Sequence, residues 1–337
     1  MAPTPPPADQ AAPLPAPPAA AFSEGTFHYG RYRGPIPDPT FPLAWGQRLR
    51  LKEWHYCALT GPHTFLALGL VQLGYLAKVF VYLVDRSRPG EALEYEALLP
   101  LGRGLEFAQS SIAGTSSLRH RGALIEAGFD GAHTLRLDLP LGGSRLEGEA
   151  RFPLEETLAL LHPLPSGQPA YTHKAAAAPA EVALRLGGRP LNFEGALASL
   201  DWTRSLAERE TRWKWASTSA RLKSGARLGL NLSAEVYDDA RGHSRENALW
   251  IDGAARPLGG VRFELPDDRA HQPWRIRSLE GDEVSLRFQP LGARRQDLDL
   301  KLISSRFIQP YGRFEGEVCG HRLEGAFGVV EEHFARW

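Results

Sequence analysis

The sequence predicts an all-β protein built from two antiparallel β-barrels in tandem, with few short helices. Long stretches alternate apolar and polar residues, which is the period of a β-strand. Gly and Pro account for 34 and 27 of the 337 residues, as expected for a chain with many turns. The tetrapeptide Arg-Leu-Glu-Gly closes one run of predicted strands at 145–148 and a second run at 322–325. This repeated tetrapeptide indicates two similar units.

Residues 1–25 are predicted to form a disordered tail. The first 21 residues are mostly Pro and Ala with one acid, so they have little to bury and favour polyproline II. They contain neither a basic start nor an unbroken apolar run, which argues against a signal peptide and indicates a cytoplasmic protein. In that setting, two separate buried thiols at Cys57 and Cys319 are favoured over one disulfide between the units.

The first unit is predicted at 26–180. Turns are expected at Gly74 and at Asp130-Gly131, which is a good hairpin signal. Residues 154–161 could form one short helix. The Pro- and Ala-rich stretch 162–180 lacks periodicity and is the best linker candidate. Alternation predicts strands at 48–58, 64–73, 75–84, 91–99, 117–127, 132–139 and 144–152.

The second unit is predicted at 181–337. It contains one further candidate for a short helix, at 193–200. Strands that recur every eight to twelve residues with turns between them are typical of sandwiches and barrels. The predicted strands are 181–186, 211–220, 226–236, 248–252, 261–265, 274–278, 283–288, 298–304, 307–318 and 321–330.

Charge and composition exclude several classes of protein. The 39 basic residues balance 39 acidic ones, whereas nucleic-acid binders and polybasic membrane binders carry a basic excess. The longest apolar run, 65–84, is interrupted by Gly and Lys and predicts two strands and a turn rather than a transmembrane segment. Phosphate-binding loops and the Gly-x-Ser-x-Gly elbow are absent, so neither nucleotide use nor a typical α/β-hydrolase is expected.

No metal site and no cofactor are predicted. The eleven histidines are scattered, and none belongs to a His-Glu-x-x-His pair. The sequence also contains no Cys-x-x-Cys. A metal site assembled from different strands stays open as an alternative.

Five short motifs resemble a bacterial family of unknown function. They are Lys-Glu-Trp-His at 52–55, Asp-Trp-Thr at 201–203, Trp-Lys-Trp-Ala at 213–216, Gly-Leu-Asn-Leu at 229–232 and Glu-His-Phe-Ala-Arg-Trp at 332–337. Over nearly all of residues 30–337 the chain resembles domain-of-unknown-function family 2804. That family is similar to tandem lipocalin-like (calycin) proteins such as carotenoid hydratases and tocopherol cyclases. The resemblance implies two lipocalin-like barrels and a hydrophobic ligand, but no particular reaction.

The densest group of functional side chains in the first unit lies at 52–56. On a strand, Glu53 and His55 share a face with apolar residues, about 7 Å apart, and burial would perturb both pKa values. They are therefore the candidate catalytic residues. Lys52, Trp54 and Tyr56, on the opposite face, are candidate ligand-binding residues. The alternative, more usual for such groups, is structural: Glu53 pairs with an Arg or Lys, and His55 packs at a barrel mouth.

In the second unit, Trp213 and Trp215 are predicted to point the same way from one strand. Two indoles in one wall suit stacking on a flat or polyene-like ligand, and they also suit an ordinary core. Asn231, in the Gly-Leu-Asn-Leu motif, is a further candidate ligand-binding residue.

The C-terminus ends on aromatic residues, although terminal residues are usually polar and frayed. Trp337 is therefore expected to be tied to the body of the protein. Glu332 and His333 are candidate ligand-binding residues that could reach a cavity. The alternative is a packed terminal strand with a solvated acidic pair.

The function that these observations favour is binding of a hydrophobic small molecule, lipid-like or isoprenoid, in a β-barrel interior. The first alternative is a cofactor-independent hydratase, isomerase or cyclase acting on such a ligand. The second is a structural or protein-interaction module. An apolar cavity with two or more convergent titratable groups would favour the enzyme.

Overall fold

A computed structural model describes residues 14–88, 90–299 and 303–337. Within these residues the chain forms 26 strands and one 3-10 helix, Trp45–Leu49. The strands are β1 Phe22–Ser23, β2 Thr26–Phe27, β3 Gly30–Arg33, β4 Leu51–Thr60, β5 Thr64–Gln72, β6 Leu76–Asp85, β7 Leu93–Pro100, β8 Leu105–Glu106, β9 Gly114–His120, β10 Ala123–Phe129, β11 His133–Leu141, β12 Ser144–Phe152, β13 Leu158–Pro163, β14 Pro169–Pro179, β15 Glu181–Leu186, β16 Arg189–Pro190, β17 Leu197–Leu206, β18 Glu210–Arg221, β19 Arg227–Ala234, β20 Ala248–Ile251, β21 Ala254–Pro257, β22 Val261–Glu264, β23 Trp274–Ser278, β24 Val284–Asp299, β25 Ser304–Val318 and β26 His321–Arg336.

The strands form three large antiparallel sheets. The central sheet has the order β3-β13-β14-β17-β4-β5-β6-β7, and the outer sheet has the order β16-β15-β12-β11-β10-β9-β8. The C-terminal sheet has the order β21-β20-β19-β18-β26-β25-β24-β23-β22. The fold is therefore all-β and barrel-like, which confirms the fold class predicted from the alternating sequence.

Apolar side chains fill the space between the central and outer sheets. Leu66 and Leu68 on β5 share one cluster with Ile125 on β10 and Leu137 on β11, and none is more than 1% exposed. Successive side chains of a strand alternate between its faces, so the central sheet sends its remaining side chains to the other side. The space between the central and outer sheets is thus a packed core around these residues.

The C-terminal sheet curls around a second core. Leu228 and Leu230 on β19, near one end of the strand order, lie in the same cluster as Phe263 on β22, at the other end. Trp274 and Phe288 also belong to this cluster. Contact between β19 and β22 brings the two ends of the sheet together.

A third cluster joins the central sheet to the C-terminal sheet. Tyr82 on β6 shares this cluster with Trp215 on β18 and Phe327 on β26. Gly229 on β19 permits a close approach of the layers, because a Cβ there would lie 2.6 Å from the Cβ of Ala176 on β14. Both faces of the central sheet are therefore covered.

The structure corrects three predictions for secondary structure. The short helices predicted at 154–161 and 193–200 are wrong, since these residues contribute to β13 and β17. The linker predicted at 162–180 is also wrong, because most of it is strand β14, buried along all but its last residue. A strand buried on both faces loses the in–out alternation by which a sequence reveals it.

Strand pairing ties residues 181–206 to the N-terminal half. β15 pairs with β12 of the outer sheet, and β17 pairs with β4 of the central sheet along its whole length. Both copies of Arg-Leu-Glu-Gly lie near the beginning of a long strand, β12 or β26, and Leu146 and Leu323 are each buried in their own core. A tandem repeat divided between 180 and 181 stays a prediction.

The predicted tail lies partly outside the described residues, which exclude 1–13. Residues 300–302, inside the strand predicted at 298–304, are also outside them. Residues 14–25 do not form a tail: Ala21 is fully buried in the first core, and its N–H donates to the Asp38 carbonyl at 2.7 Å. No helix in the described ranges is long and apolar enough to cross a membrane.

Candidate functional site

A cavity of about 210 Å³ lies between the central and C-terminal sheets. The strands β4, β5, β6, β14 and β17 contribute to one wall, and β18, β24, β25 and β26 contribute to the opposite wall. The cavity therefore lies between two layers, whereas the sequence predicted a ligand inside a barrel. Aromatic rings provide much of its apolar surface: Trp54, Tyr56, Phe80, Trp213, Trp215, Phe307 and Trp337.

Cross-strand pairing positions the functional side chains of the C-terminal wall. The register of β18 and β26 sets Trp213 opposite His333 and Trp215 opposite Glu331. Because side chains alternate along each strand, these four share one face. Trp213 also packs edge-on against Trp54 of β4, with ring centroids 6.1 Å apart. The structure thus brings together these predicted ligand-binding residues: Trp54, Tyr56, Trp213, Trp215 and His333.

Glu331 is a buried carboxyl group in this wall, with only 7% exposure. Trp213 Nε1 donates to its Oε1 at 2.6 Å, and Gln309 Nε2 donates to its Oε2 at 2.7 Å. Burial raises the pKa of Glu331 to about 7 against the opposing effect of these two donors, and the nearby Asp201 contributes to the rise. The group can therefore donate or accept a proton at neutral pH.

A chain of polar groups continues from Glu331 toward the central sheet. The Tyr82 hydroxyl donates to Gln309 Oε1 at 2.9 Å, which turns the amide nitrogen of Gln309 toward Glu331. The Tyr56 hydroxyl is buried and has no hydrogen-bond partner of good geometry within the described chain. Burial raises the pKa of Tyr56 well above its usual range, so the hydroxyl keeps its proton and remains a donor.

His333 lies next to Trp213, with ring centroids 4.2 Å apart, and its Nε2 lies 2.8 Å from Ser305 Oγ. Burial, with a smaller effect of the Lys78 ammonium, lowers the pKa of His333 to about 3. The imidazole is therefore neutral at neutral pH. It contributes a flat polar surface to the wall and no charge.

A charged cluster lies on the central-sheet side of the cavity. The Lys174 Nζ on β14 is 2.5 Å from Asp201 Oδ2 on β17 and 3.2 Å from Glu246 Oε2 in the loop before β20. Burial disfavours the charged amine, but the two carboxylates outweigh it and raise the pKa of Lys174. Burial also raises the pKa of Glu246. The cluster places a fixed cation beside the cavity, paired with two acids.

Arg294 on β24 supplies a buried cation with an unpaired Nη1 amino group, counting partners among the described residues. Its Nε donates to Glu94 at 3.0 Å and its Nη2 to Glu96 at 3.4 Å, and the guanidinium lies 4.2 Å from the ring centroid of Phe80. Its Nη1 is buried without a hydrogen-bond partner among the residues that the structure describes. A buried donor without an acceptor is costly, so Arg294 is suited to bind an oxygen atom of a ligand.

Lys52, a predicted ligand-binding residue, lies beside the cavity rather than in its wall. Its Nζ donates to two backbone carbonyls, at 2.7 and 2.9 Å, and lies 5.5 Å from the ring centroid of Trp337. Burial and, to a lesser degree, nearby arginines lower the pKa of Lys52 to about 8. Trp337 Nε1 donates to Thr211 Oγ1 at 3.1 Å, which confirms that the last residue is tied to the body.

Asn231 and Glu332 also lie outside the cavity wall. Asn231 Oδ1 accepts a hydrogen bond from Trp215 Nε1 at 2.8 Å, so it orients the indole from behind. Glu332 points to the other face of β26 and pairs with Arg269 at 2.9 Å. The predicted ligand-binding role of these two residues stays a prediction.

Glu53 and His55 direct their side chains into the core between the central and outer sheets. Glu53 Oε1 accepts hydrogen bonds from Arg204 Nε and Nη2 at 2.8 and 2.6 Å, an ion pair of the kind that the structural alternative describes. His55 Nδ1 lies 3.1 Å from Ser116 Oγ on β9. The structure does not bring these side chains together with Glu331, and their catalytic role stays a prediction.

We expect Glu53→Gln to lower the free energy of unfolding by about 1–3 kcal/mol and to leave ligand binding unchanged. The amide keeps the size of the carboxylate but leaves the buried Arg204 guanidinium without its counter-ion. Urea titration measures the first effect and a fluorescent-probe titration the second. Glu149→Gln, at an exposed ion pair, is the control. Lost probe binding at unchanged stability would support the catalytic role instead.

Sequence reasoning overlooked several residues of the cavity wall. A signal for Glu331 is present, because the residue two positions before His333 on a strand must share its face, whereas Glu332 cannot. Lys174 lies in the Ala-rich stretch that resembles a linker. Arg294 and Gln309 carry no local signal, since they reach the cavity only through the pairing of distant strands.

Comparison with known proteins places the chain in a family. Residues 21–337 match the family model of a domain of unknown function, DUF2804. No curated protein matches the chain. Solved structures with a distant similarity to the chain include the following two. The provisionally named AttH of Nitrosomonas europaea is 14% identical with a TM-score of 0.45, and the alignment covers 88% of this chain and 97% of that one.

Kievitone hydratase from Nectria haematococca is 10% identical with a TM-score of 0.47, and the alignment covers 83% of this chain and 88% of that one. Nothing about the ligand or reaction of this chain follows from these distant similarities. The family match covers almost the whole described sequence and confirms the family indicated by the five motifs. The chain belongs to the DUF2804 family of domains of unknown function.

Proposed function

We propose that the cavity binds a small, largely apolar molecule and that Glu331 transfers a proton to or from it. The observation that carries this proposal is a buried carboxyl group, with a pKa of about 7, in an aromatic wall. Near neutral pH such a group is present in both protonation states, which is the condition for efficient general acid–base catalysis. Such a group can supply the proton for hydration, isomerisation or cyclisation of an unsaturated ligand, and these reactions need no cofactor.

The walls indicate the chemistry of the ligand. The indoles of Trp213 and Trp215 offer apolar surfaces to a flat or unsaturated body. The unpaired Nη1 amino group of Arg294 matches a carboxylate, carbonyl or hydroxyl oxygen. Leu98 lines the same cavity and is 46% exposed, so an apolar chain has a path toward the surface there. These features fit a lipid-like or isoprenoid molecule with one oxygenated end.

In the proposed reaction, the neutral Glu331 carboxyl donates its proton to an unsaturated carbon of the ligand. The resulting carboxylate is stabilised by the donors of Trp213 and Gln309, which already contact its two oxygens. Return of a proton from the neighbouring carbon completes an isomerisation. Alternatively, water adds to the carbocation that protonation leaves on the ligand. Return of one proton of this water to Glu331 then completes a hydration.

Binding without reaction is the second candidate, and the aromatic character of the wall favours it. In a carrier, Glu331 would only hydrogen-bond a polar group of the ligand. The two functions differ in one observable, which is transfer of a solvent proton to carbon.

The test begins with the molecule that copurifies with the full-length protein from its own host, identified by native mass spectrometry and organic extraction. Incubated with fresh protein in D₂O, this molecule should gain carbon-bound deuterium. Glu331→Gln should slow that gain by about 10²–10⁴-fold, while Glu332→Gln, altered on the other face of the strand, should not. Equal rates for both variants would contradict the role of Glu331, and binding without deuterium gain would leave a carrier.

Trp213→Ala is expected to weaken binding of 8-anilino-1-naphthalenesulfonate by about tenfold, the equivalent of roughly 1.4 kcal/mol. The substitution removes an indole from the cavity wall together with one donor to Glu331. Fluorescence titration gives the dissociation constant. Trp45→Ala is the matched control, because that indole is 91% exposed and does not line the cavity. Equal dissociation constants for the wild type and Trp213→Ala would place the probe elsewhere.

A further inference from the structure

Three side chains that commonly bind metals meet in the core between the central and outer sheets. His55 and Cys57 lie two residues apart on β4 and therefore share a face, and His133 begins β11 of the outer sheet. Their ligand atoms all lie within 4.8 Å of one another. All three side chains are buried, with exposures of 2%, 0% and 0%.

Each of the two imidazoles has one buried ring nitrogen without a hydrogen-bond partner among the described residues. His133 Nε2 lies 3.1 Å from the carbonyl oxygen of Ser111, which can only accept, so Nε2 carries the proton and Nδ1 has a free lone pair. The Nδ1 of His133 and the Nε2 of His55 are buried and have no partner in the described ranges. Buried polar atoms are almost always hydrogen-bonded, so two such exceptions in one cluster require an explanation.

The outer nitrogen of each imidazole is held in place. The backbone carbonyl of Ser111 fixes His133, and the Ser116 hydroxyl, which accepts from the Ala108 N–H at 3.0 Å, fixes His55 at 3.1 Å. Proteins orient metal-ligating histidines through the outer ring N–H, which donates to a carboxylate, a backbone carbonyl or water, while the other nitrogen is directed at the metal. The Ser111 carbonyl matches this pattern for His133, and the Ser116 oxygen offers His55 a comparable acceptor.

We infer that His55 Nε2, Cys57 Sγ and His133 Nδ1 bind one Cu⁺ ion. Two imidazoles and one thiolate form a soft, three-coordinate donor set, which suits Cu⁺. Metal–nitrogen and metal–sulfur bonds of about 2.0 and 2.3 Å require ligand atoms roughly 3.5 Å apart, so small side-chain movements would close the site. The Cu–S bond forms as the thiol loses its proton to solvent.

The net charge of the metal complex favours Cu⁺ over Zn²⁺ at this site. One thiolate and two neutral imidazoles leave a Cu⁺ complex without net charge, which suits an apolar core. The same ligands leave Zn²⁺ with a net positive charge and one ligand short of its usual four. Glu53, two residues from His55 on the same face, is already paired with Arg204 and does not compensate that charge.

His173 is close to this cluster but is not one of its ligands. Its two ring nitrogens are satisfied by Ser111 Oγ at 2.8 Å and Thr157 Oγ1 at 2.9 Å. The ion would thus join one strand of the central sheet to one strand of the outer sheet. It lies on the face of β4 opposite to the cavity, so this inference does not depend on the proposed function.

The test uses the full-length protein. Because the three ligands are buried from solvent, the protein is refolded from denaturant in the presence of Cu⁺ and without oxygen. The refolded protein is then titrated against a chromophoric Cu⁺ chelator. The wild type should retain one equivalent of copper against the chelator. Cys57→Ala and His133→Phe should bind at least about 100-fold more weakly. Cys319→Ala is the matched control, since it removes the second cysteine, which is half-buried elsewhere in the chain, and should bind as the wild type does.

Circular dichroism and urea titration of each variant separate lost binding from lost folding. If Cys57→Ala does not fold, the conservative variant Cys57→Ser replaces it. A wild-type protein that retains no copper would overturn the inference. The same conclusion would follow if Cys57→Ala bound copper as tightly as the wild type, or if metal analysis found zinc in the site and no affinity for Cu⁺.

Discussion

Replacing Glu331 with glutamine is expected to remove a pH-dependent loss of stability of about 3 kcal/mol that the wild type shows between pH 4.5 and pH 8. The side chain is buried in the cavity wall, and burial raises the pKa of its carboxyl group from the ordinary 4.5 to about 7. The effect is large because no arginine or lysine forms an ion pair with Glu331 within the described residues.

The sign follows from proton binding. Between pH 4.5 and 7 the folded protein holds a proton on Glu331 that the unfolded chain has released, so unfolding releases protons in this range. The contribution of Glu331 to stability is therefore fully present below about pH 4.5 and is lost as the pH rises through about 7. Each unit of pKa difference corresponds to about 1.4 kcal/mol, which gives the expected total.

Urea titrations of the wild type and Glu331→Gln at several pH values measure this effect as a difference, so that other titrating groups cancel. Glu332→Gln is the matched control, because the neighbouring carboxyl lies on the opposite face and is paired with Arg269. Parallel stability curves for the wild type and Glu331→Gln across this range would show that the Glu331 carboxyl does not titrate near neutrality. Such a result would remove the observation on which the proposed function rests.

The sequence predicts the aromatic residues of the cavity wall better than it predicts the charged ones. Alternation along a strand is a local property, so it places Trp54 and Tyr56 on one face of β4, and Trp213 and Trp215 on one face of β18. It does not say which face meets which sheet. Glu53 and His55 do share a face with apolar residues, as predicted. Because the central sheet is covered on both sides, that face lies in a core and not at the cavity.

Charged residues of the cavity depend on pairings between distant parts of the chain. Lys174 meets Asp201 only because β14 pairs with β17, and it meets Glu246 only because a loop of the C-terminal half lies beside it. An isolated Lys in an Ala-rich stretch carries no sign of such partners. Sequence reasoning therefore identifies the aromatic residues and overlooks the ions, because ions in a core are defined by their partners.

Lys174→Met is expected to lower the free energy of unfolding by about 3–5 kcal/mol, among the largest effects of any single substitution at the cavity. Methionine keeps the length of the side chain but leaves Asp201 and Glu246 without their shared cation, and the Lys174 and Glu246 side chains are only 4% and 3% exposed.

Adding Glu246→Gln to Lys174→Met should restore part of the loss, because it removes one of the two uncompensated charges. Lys223→Met is the control and should cost less than about 1 kcal/mol, because the Lys223 side chain is 81% exposed and pairs with Glu324 at the surface. If Lys174→Met cost no more than this control, the two carboxyl groups would have to be neutralised by bound protons, and Lys174 would not serve as the fixed cation of the cavity.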